Sequence, residues 1–163
     1  MLDDAWGAMR QLAHDLRPPA LDTLGLSTAL EGLCREMSRQ TRMRIRYHTD
    51  WDRAPGTSSH ADAAGICLFR FLQEALTNVV RHAGATSVDV TLRHDAETIS
   101  LCVKDDGKGF DTDRVRTSPP EDRGMGLSVM QERLELLGGR LDITTWPGEG
   151  TMLLALLPVE ARP

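Results

Sequence analysis

The segment EALTNVVRHA, residues 74–83, has the most informative pattern in this sequence. If it is helical, Glu74, Asn78 and His82 recur every four residues and share one face. Arg81 falls beside them, so this face carries a carboxylate, an amide, a guanidinium and an imidazole. Such a face is either a solvated polar surface or one wall of a ligand site, and these residues alone do not decide between the two.

The opposite face of the same helix is apolar. Its residues are Leu68, Leu72, Ala75 and Val79. Spacings of four, three and four are typical of a helix that packs on a sheet. We therefore predict a helix from about residue 62 to residue 83, ended by Gly84. A carboxylate and an amide oxygen one turn apart suit Mg²⁺, which takes few protein ligands and usually binds beside substrate phosphates.

The composition is that of a soluble globular domain with a short appendage. The chain has 163 residues, of which 40% are hydrophobic and 26% are charged. A net charge of -5 argues against a nucleic-acid surface. No apolar run reaches the length of a membrane span, and the N-terminus lacks a secretion signal. Cys34, Cys67 and Cys102 lie in apolar periodic segments and fit reduced packing residues. We therefore expect this chain to be cytoplasmic, with any membrane anchor of the complete protein in segments absent from this chain.

The hydrophobic period predicts the remaining elements. Heptad spacing over residues 2–16 predicts a helix that Pro18 and Pro19 end. A second helical stripe runs from residue 26 to 37, with Ser27 as its N-cap. Alternation predicts strands near residues 43–47, 88–92, 99–103, 140–146 and 151–157, and a further stripe predicts a helix over 127–137.

These elements predict an α/β fold. We expect a two-layer α/β sandwich, with a mixed sheet of about five strands, helices on one face and an N-terminal helical extension. Residues 1–40 form the extension in this interpretation, and residues 41–160 form the sheet domain. The polar segment 111–123 contains one aliphatic residue and two prolines, which predicts a mobile lid hinged on flanking glycines.

Three glycine pairs lie where predicted strands or helices begin or end. They stand at 107 and 109, at 124 and 126, and at 148 and 150. Glycine allows close backbone approach, and backbone N–H groups at a helix start can hold phosphate oxygens. Asp105, at a predicted strand end, can accept a hydrogen bond from an exocyclic amine such as that of adenine. Each GxG cluster alone is more often only a turn.

The order of these motifs is what carries a resemblance. A helical ExxxN, a strand ending in DxGxG, a lid, GxGL and GxGT follow one another over residues 43–158. This order resembles the ATP-binding catalytic domain of sensor histidine kinases, whose fold is shared by the gyrase, Hsp90 and MutL ATPases. The sequence LRPPALDTLGL, residues 16–26, resembles the end of the second dimerisation helix in the class typified by the nitrate and nitrite sensors.

The resemblance implies roles for the motif residues. Asn78 would be a Mg²⁺ ligand and Asp105 would read the adenine of ATP. Glu74 would either act as a general base or orient the incoming imidazole or the Mg²⁺ waters. The other implied contacts to ribose, phosphates or pocket wall are Arg81, His82, Gly107, Gly109, Gly124, Gly126, Leu127 and Thr151.

The resemblance also implies a reaction and partners. The domain would transfer the γ-phosphoryl of Mg-ATP to a histidine on a dimerisation helix absent from this chain, for relay to a response-regulator aspartate. The complete protein would be a homodimer. His14 is not assigned as acceptor, because Pro18 and Pro19 follow it closely and it lies off the heptad seam. The alternatives are an anti-sigma-type serine kinase and a non-catalytic ATP-binding module.

Overall fold

The computed structural model describes residues 19–50, 59–111 and 125–160. The helices are α1 (Pro19–Leu24), α2 (Leu26–Thr41), α3 (Ser59–Asn78), which continues into a π-helical turn (Val79–Ala83), and α4 (Met125–Leu136). The strands are β1 (Arg44–Thr49), β2 (Ser87–His94), β3 (Thr98–Asp105), β4 (Arg140–Thr145) and β5 (Thr151–Pro158). The predicted first helix with His14, nearly all of the predicted lid and Gly124 lie outside the described residues.

The five strands form one mixed sheet in the order β1-β2-β3-β5-β4. β1 and β2 are parallel, and the other neighbouring pairs are antiparallel. Parallel neighbours need a crossover connection, and α3 lies in the connection between β1 and β2. The prediction of an α/β sandwich with a mixed five-stranded sheet is therefore confirmed.

The hydrophobic core lies between one face of the sheet and the helices. Alternate residues of the central strands point into it, as Val90, Leu101 and Ala155 do with 0% exposure. The apolar stripe of α3 packs on this layer, and its Leu68 and Leu72 are also 0% exposed. The predicted apolar face of α3 therefore packs on the sheet.

The segment Asp62–Ala83 is long and apolar enough to cross a membrane by length and composition. The sequence analysis counted no such run because polar residues interrupt it. In the fold, 56% of its most apolar window is buried inside the domain, which is the behaviour of a core helix.

The helix α2 shares the core of the sheet domain. Leu26, Leu30 and Cys34 belong to the same buried cluster as the strands, and α2 contacts both β1 and α3. The domain boundary at residue 40 stays a prediction. The prediction of Ser27 as the N-cap is wrong, because α2 already begins at Leu26 and the Ser27 hydroxyl lies 3.1 Å from the Tyr47 hydroxyl.

Candidate functional site

A cavity of about 280 Å³ lies between the end of α3 and the ends of β3 and β5. Its lining residues are Ala75, Asn78, Val79, His82, Ala83, Asp105, Lys108, Gly109, Phe110, Leu127, Thr151 and Leu153. Small-molecule pockets measure roughly 300–1,000 Å³, so this one is at the lower end. It is large enough to hold part of a nucleotide-sized ligand.

One wall of the cavity comes from the widened end of α3. The helix changes to a π-helical turn at Val79 and ends at Gly84, where φ is 60°. Such turns are rare and frequently lie at functional sites. Asn78 and His82, before and within the turn, both line the cavity. Within the described part of the chain, neither side chain has a recorded hydrogen-bond partner, so both are available to a ligand.

The other wall contains a buried carboxylate. Asp105, the last residue of β3, is only 5% exposed, and its Oδ1 accepts a hydrogen bond of 2.8 Å from the Gly107 N–H. Burial raises the pKa of the Asp105 carboxyl, although hydrogen bonds from the backbone N–H groups of Gly107 and Thr151 act in the opposite direction. A buried carboxylate held in place by backbone donors is suited to accept from a ligand amine.

A loop with two closely packed glycines follows Asp105. A Cβ on Gly107 would lie 2.5 Å from the Ala83 carbonyl oxygen, so no larger residue fits between the loop and the end of α3. Gly109 has φ of 60°, and its Cβ would overlap the carbonyl oxygen of Trp146. Between them, the Lys108 N–H donates to the Ala83 carbonyl oxygen at 2.8 Å. The loop is thereby tied to the helix wall of the cavity.

The neighbouring residue Asp106 binds backbone N–H groups at the start of β2 instead of lining the cavity. Its carboxylate accepts hydrogen bonds from Thr86 N at 2.8 Å and from Ser87 N at 2.9 Å, outside the cavity. The Ser87 backbone N–H is the largest cause that holds the pKa of Asp106 below its ordinary value. Of the two adjacent carboxylates, only Asp105 lines the cavity.

The structure brings together several of the residues predicted for the site. Those that line the cavity are Asn78, His82, Asp105, Gly109, Leu127 and Thr151. Gly107 shapes the loop behind them. Arg81 is exposed and is not among the lining residues. Glu74 is not a lining residue either, since its carboxylate lies against Gly126 at the start of α4, where a Cβ would overlap it.

Six of the twelve lining residues were not predicted from the sequence, among them four aliphatic residues of the pocket wall, and one supporting residue was not predicted either. Lys108 and Phe110 line the cavity, and both could have been suspected because they interleave with the DxGxG motif. Thr145, at the end of β4, is only 9% exposed, and its Oγ1 accepts a hydrogen bond of 3.0 Å from the Phe110 N–H. A polar residue on the inward register of a strand, directly before a glycine turn, was the available signal.

The sequence matches a known family over more than half of its length. Residues 64–161 match the family described as Histidine kinase-, DNA gyrase B-, and HSP90-like ATPase. The chain belongs to this family, and the matched residues include the helix end, the buried aspartate and the other residues that line the cavity. ATP is the nucleotide that the family description leads us to expect.

Relatives of known class indicate which kind of ATPase domain this is. Over 161 residues the chain is 38% identical to Sensor histidine kinase MctS of Rhizobium johnstonii, covering 99% of this chain and 33% of that protein. It is 37% identical over 155 residues to Signal transduction histidine-protein kinase/phosphatase UhpB of Salmonella typhimurium, covering 94% and 28%. The prediction of a histidine kinase-type ATPase domain is therefore confirmed, and the chain spans about a third of the length of these curated relatives.

Solved structures agree on the fold. The histidine kinase domain of the Erythrobacter litoralis blue-light activated histidine kinase superposes with a TM-score of 0.61 at 21% identity, over 82% of this chain and 61% of that chain. The catalytic domain of histidine kinase ThkA gives a TM-score of 0.63 at 18% identity, over 84% and 93%. At these identities the likeness concerns the fold alone.

Proposed function

We propose that this domain binds Mg-ATP and passes its γ-phosphoryl group to a histidine on dimerisation helices of the same protein. The observation that carries this proposal is that Asn78 and Asp105, from different elements, line one cavity. An amide oxygen that suits a metal and a buried carboxylate that suits an amine thus border the same cavity, which supports the proposal. The sensor histidine kinases among the relatives support the choice of histidine as acceptor.

The cavity has a polarity that suits a nucleotide. Asp105 lies buried at the end of β3 and lines the cavity, where its carboxylate can accept a hydrogen bond from the adenine amine. His82 and Lys108 line the cavity as well and can face ribose or phosphate oxygens. We assign the start of α4, at Gly126 and Leu127, to the phosphates, because helix N-termini favour anions.

The donor set fits Mg²⁺ only together with the nucleotide. The described residues contain no group of three or more His, Cys, Asp or Glu side chains that could hold a metal alone. Asn78 offers one amide oxygen. This is enough because Mg²⁺ usually coordinates few protein ligands together with phosphate oxygens and water. When bound, Mg²⁺ would neutralise charge on the β- and γ-phosphates.

Catalysis by the residues of this chain is then mainly positioning, as is usual in phosphoryl transfer. Glu74 lies one helical turn before Asn78 and close to the start of α4. We assign it to the incoming histidine: its carboxylate would accept a hydrogen bond from one imidazole N–H, so that the other nitrogen faces the γ-phosphorus. Arg81, exposed at the π-turn, would contact phosphate only after a change of rotamer.

The remaining parts of the proposal concern the complete protein. We propose a homodimeric, two-component kinase whose acceptor histidine lies outside this chain and whose phosphoryl group passes to a response-regulator aspartate. This domain itself would work in the cytoplasm, without contact to nucleic acid or membrane. Its net charge of -5 and the burial of the one long apolar helix found among the described residues support this part.

The proposal is tested by phosphoryl transfer to a separately prepared dimerisation-helix domain of the complete protein. The chain is incubated with that domain, Mg²⁺ and ATP labelled on the γ-phosphate. A histidine kinase gives acid-labile, base-stable label on the helices, and Asn78→Ala abolishes it. Acid-stable label indicates a serine kinase, and absence of label with intact ATP binding indicates a non-catalytic module; either result contradicts the proposal.

A further inference from the structure

One row of polar side chains closes the base end of the cavity. On the inward face of the sheet, Asp105 of β3 pairs with Thr151 of β5, and Thr151 pairs with Thr145 of β4. Asp105 and Thr151 line the cavity, whereas Thr145 does not and is only 9% exposed. Thr145 therefore supports the row from behind Thr151.

The hydrogen bonds of Thr145 determine how the Thr151 hydroxyl is oriented. A threonine hydroxyl has one proton to donate and can accept with its lone pairs. The contact of 3.1 Å between Thr145 Oγ1 and the Gly150 carbonyl oxygen uses that proton, because a carbonyl oxygen only accepts. Thr145 Oγ1 then accepts from Phe110 N at 3.0 Å and from the Thr151 hydroxyl at 3.1 Å. The Thr151 proton is thus committed to Thr145.

The geometry points to Thr145 as a positioning residue that sets the base preference of the site. With its proton turned to Thr145, Thr151 offers only lone pairs to the cavity, beside the carboxylate of Asp105. Two acceptors match an exocyclic amine, as adenine carries, and oppose a carbonyl oxygen, as guanine carries at the corresponding position. This inference rests on the proposed binding of a nucleotide in the cavity.

The test compares ATP with GTP in hydroxyl variants. Thr145→Val keeps the shape and frees the Thr151 hydroxyl to turn its proton toward the base. Thr145→Ser keeps the hydroxyl, and Thr144→Val alters the exposed neighbour on the opposite face as a matched control. Dissociation constants for ATP and GTP are measured by competition against fluorescent ADP. The ratio of the two constants cancels any unfolded fraction, and Thr145→Cys replaces Thr145→Val if the latter does not fold.

We expect the preference of wild type for ATP over GTP to fall about tenfold in Thr145→Val, the loss of one hydrogen-bond preference. Thr145→Ser and Thr144→Val should keep the wild-type ratio. If Thr145→Val weakens the binding of ATP and GTP equally, or if wild type binds both with equal affinity, the inference about Thr145 is wrong, although the cavity still binds nucleotides. A wild type that binds neither nucleotide would refute the proposed function itself.

Discussion

Replacing Asp105 by asparagine separates the binding role of this carboxylate from its role in the fold. The side chain is 5% exposed, and its burial raises its pKa, so the fold disfavours the charged form. Asparagine removes that charge and keeps an oxygen that can accept from the Gly107 N–H. In wild type this hydrogen bond to Asp105 Oδ1 is 2.8 Å long. The free energy of unfolding at neutral pH should therefore change by less than about 1 kcal/mol.

The same substitution should strongly weaken ATP binding. A hydrogen bond to a charged group contributes about 1.5–3 kcal/mol, which corresponds to a rise in Kd of about 10- to 150-fold. Calorimetric titration with Mg-ATP gives the affinity, and urea denaturation gives the stability. The matched control is Asp106→Asn, which removes a stabilising negative charge outside the cavity and keeps an oxygen for Thr86 N and Ser87 N. It should lower the urea midpoint and leave ATP affinity unchanged; an Asp105→Asn protein with wild-type ATP affinity would refute this reasoning.

Four further predictions concern packing and pH. Gly126→Ala should change the free energy of unfolding by less than about 1 kcal/mol in urea denaturation, because the group that its Cβ meets is the end of the flexible Glu74 side chain, which can move away; a loss of about 3 kcal/mol would contradict this. Gly32→Ala, a helical glycine whose Cβ meets nothing within 4 Å, should instead stabilise by roughly 0.5–1 kcal/mol, and destabilisation there would contradict the packing argument. Gly109→Ala should lower the free energy of unfolding by about 1–3 kcal/mol or more in the same assay, because φ at Gly109 is 60° and the Trp146 carbonyl oxygen overlaps the Cβ position; an unchanged stability would contradict this. Finally, the ATP affinity of wild type relative to Asp105→Asn should fall as pH drops through a pKa above 3.8, because only the ionised carboxylate accepts well; a flat ratio down to pH 4 would contradict a raised pKa.

The linkage signs of the two adjacent aspartates are opposite. The raised pKa of Asp105 means that its contribution favours folding at low pH and is lost as pH rises through the folded pKa. The lowered pKa of Asp106 means that its stabilisation is present above the unfolded pKa and is lost as pH falls through the folded pKa.

The sheet and the main helix were predictable because each has a strong hydrophobic period. Alternation along β2, β3 and β5 fixes which residues face the core, and the stripe Leu68, Leu72, Ala75 fixes how α3 packs. The start of α2 was less predictable. Its N-cap is Gly25, which has no side chain to cap the helix, and the Ser27 hydroxyl lies within hydrogen-bond distance of the Tyr47 hydroxyl. Capping patterns are short, and tertiary contacts override them easily.

The motif residues of the site were predictable from the sequence, whereas the residues that hold them in position were not. Asn78 and Asp105 stand at fixed places in ExxxN and DxGxG, so their meeting in one cavity follows from the order of the elements. The π-helical turn after Asn78 leaves no periodic signal, and of its two exposed polar residues His82 lines the cavity and Arg81 does not. Thr145 depends on the pairing of β4 with β5, which only the folded sheet shows.

The most direct test of the central claim is a crystal structure of the chain with Mg²⁺ and a non-hydrolysable ATP analogue. The account predicts the nucleotide in the cavity of about 280 Å³, with the adenine amine hydrogen-bonded to the Asp105 carboxylate and the metal on the Asn78 amide oxygen. A nucleotide bound elsewhere, or one in this cavity that contacts neither side chain, would contradict it.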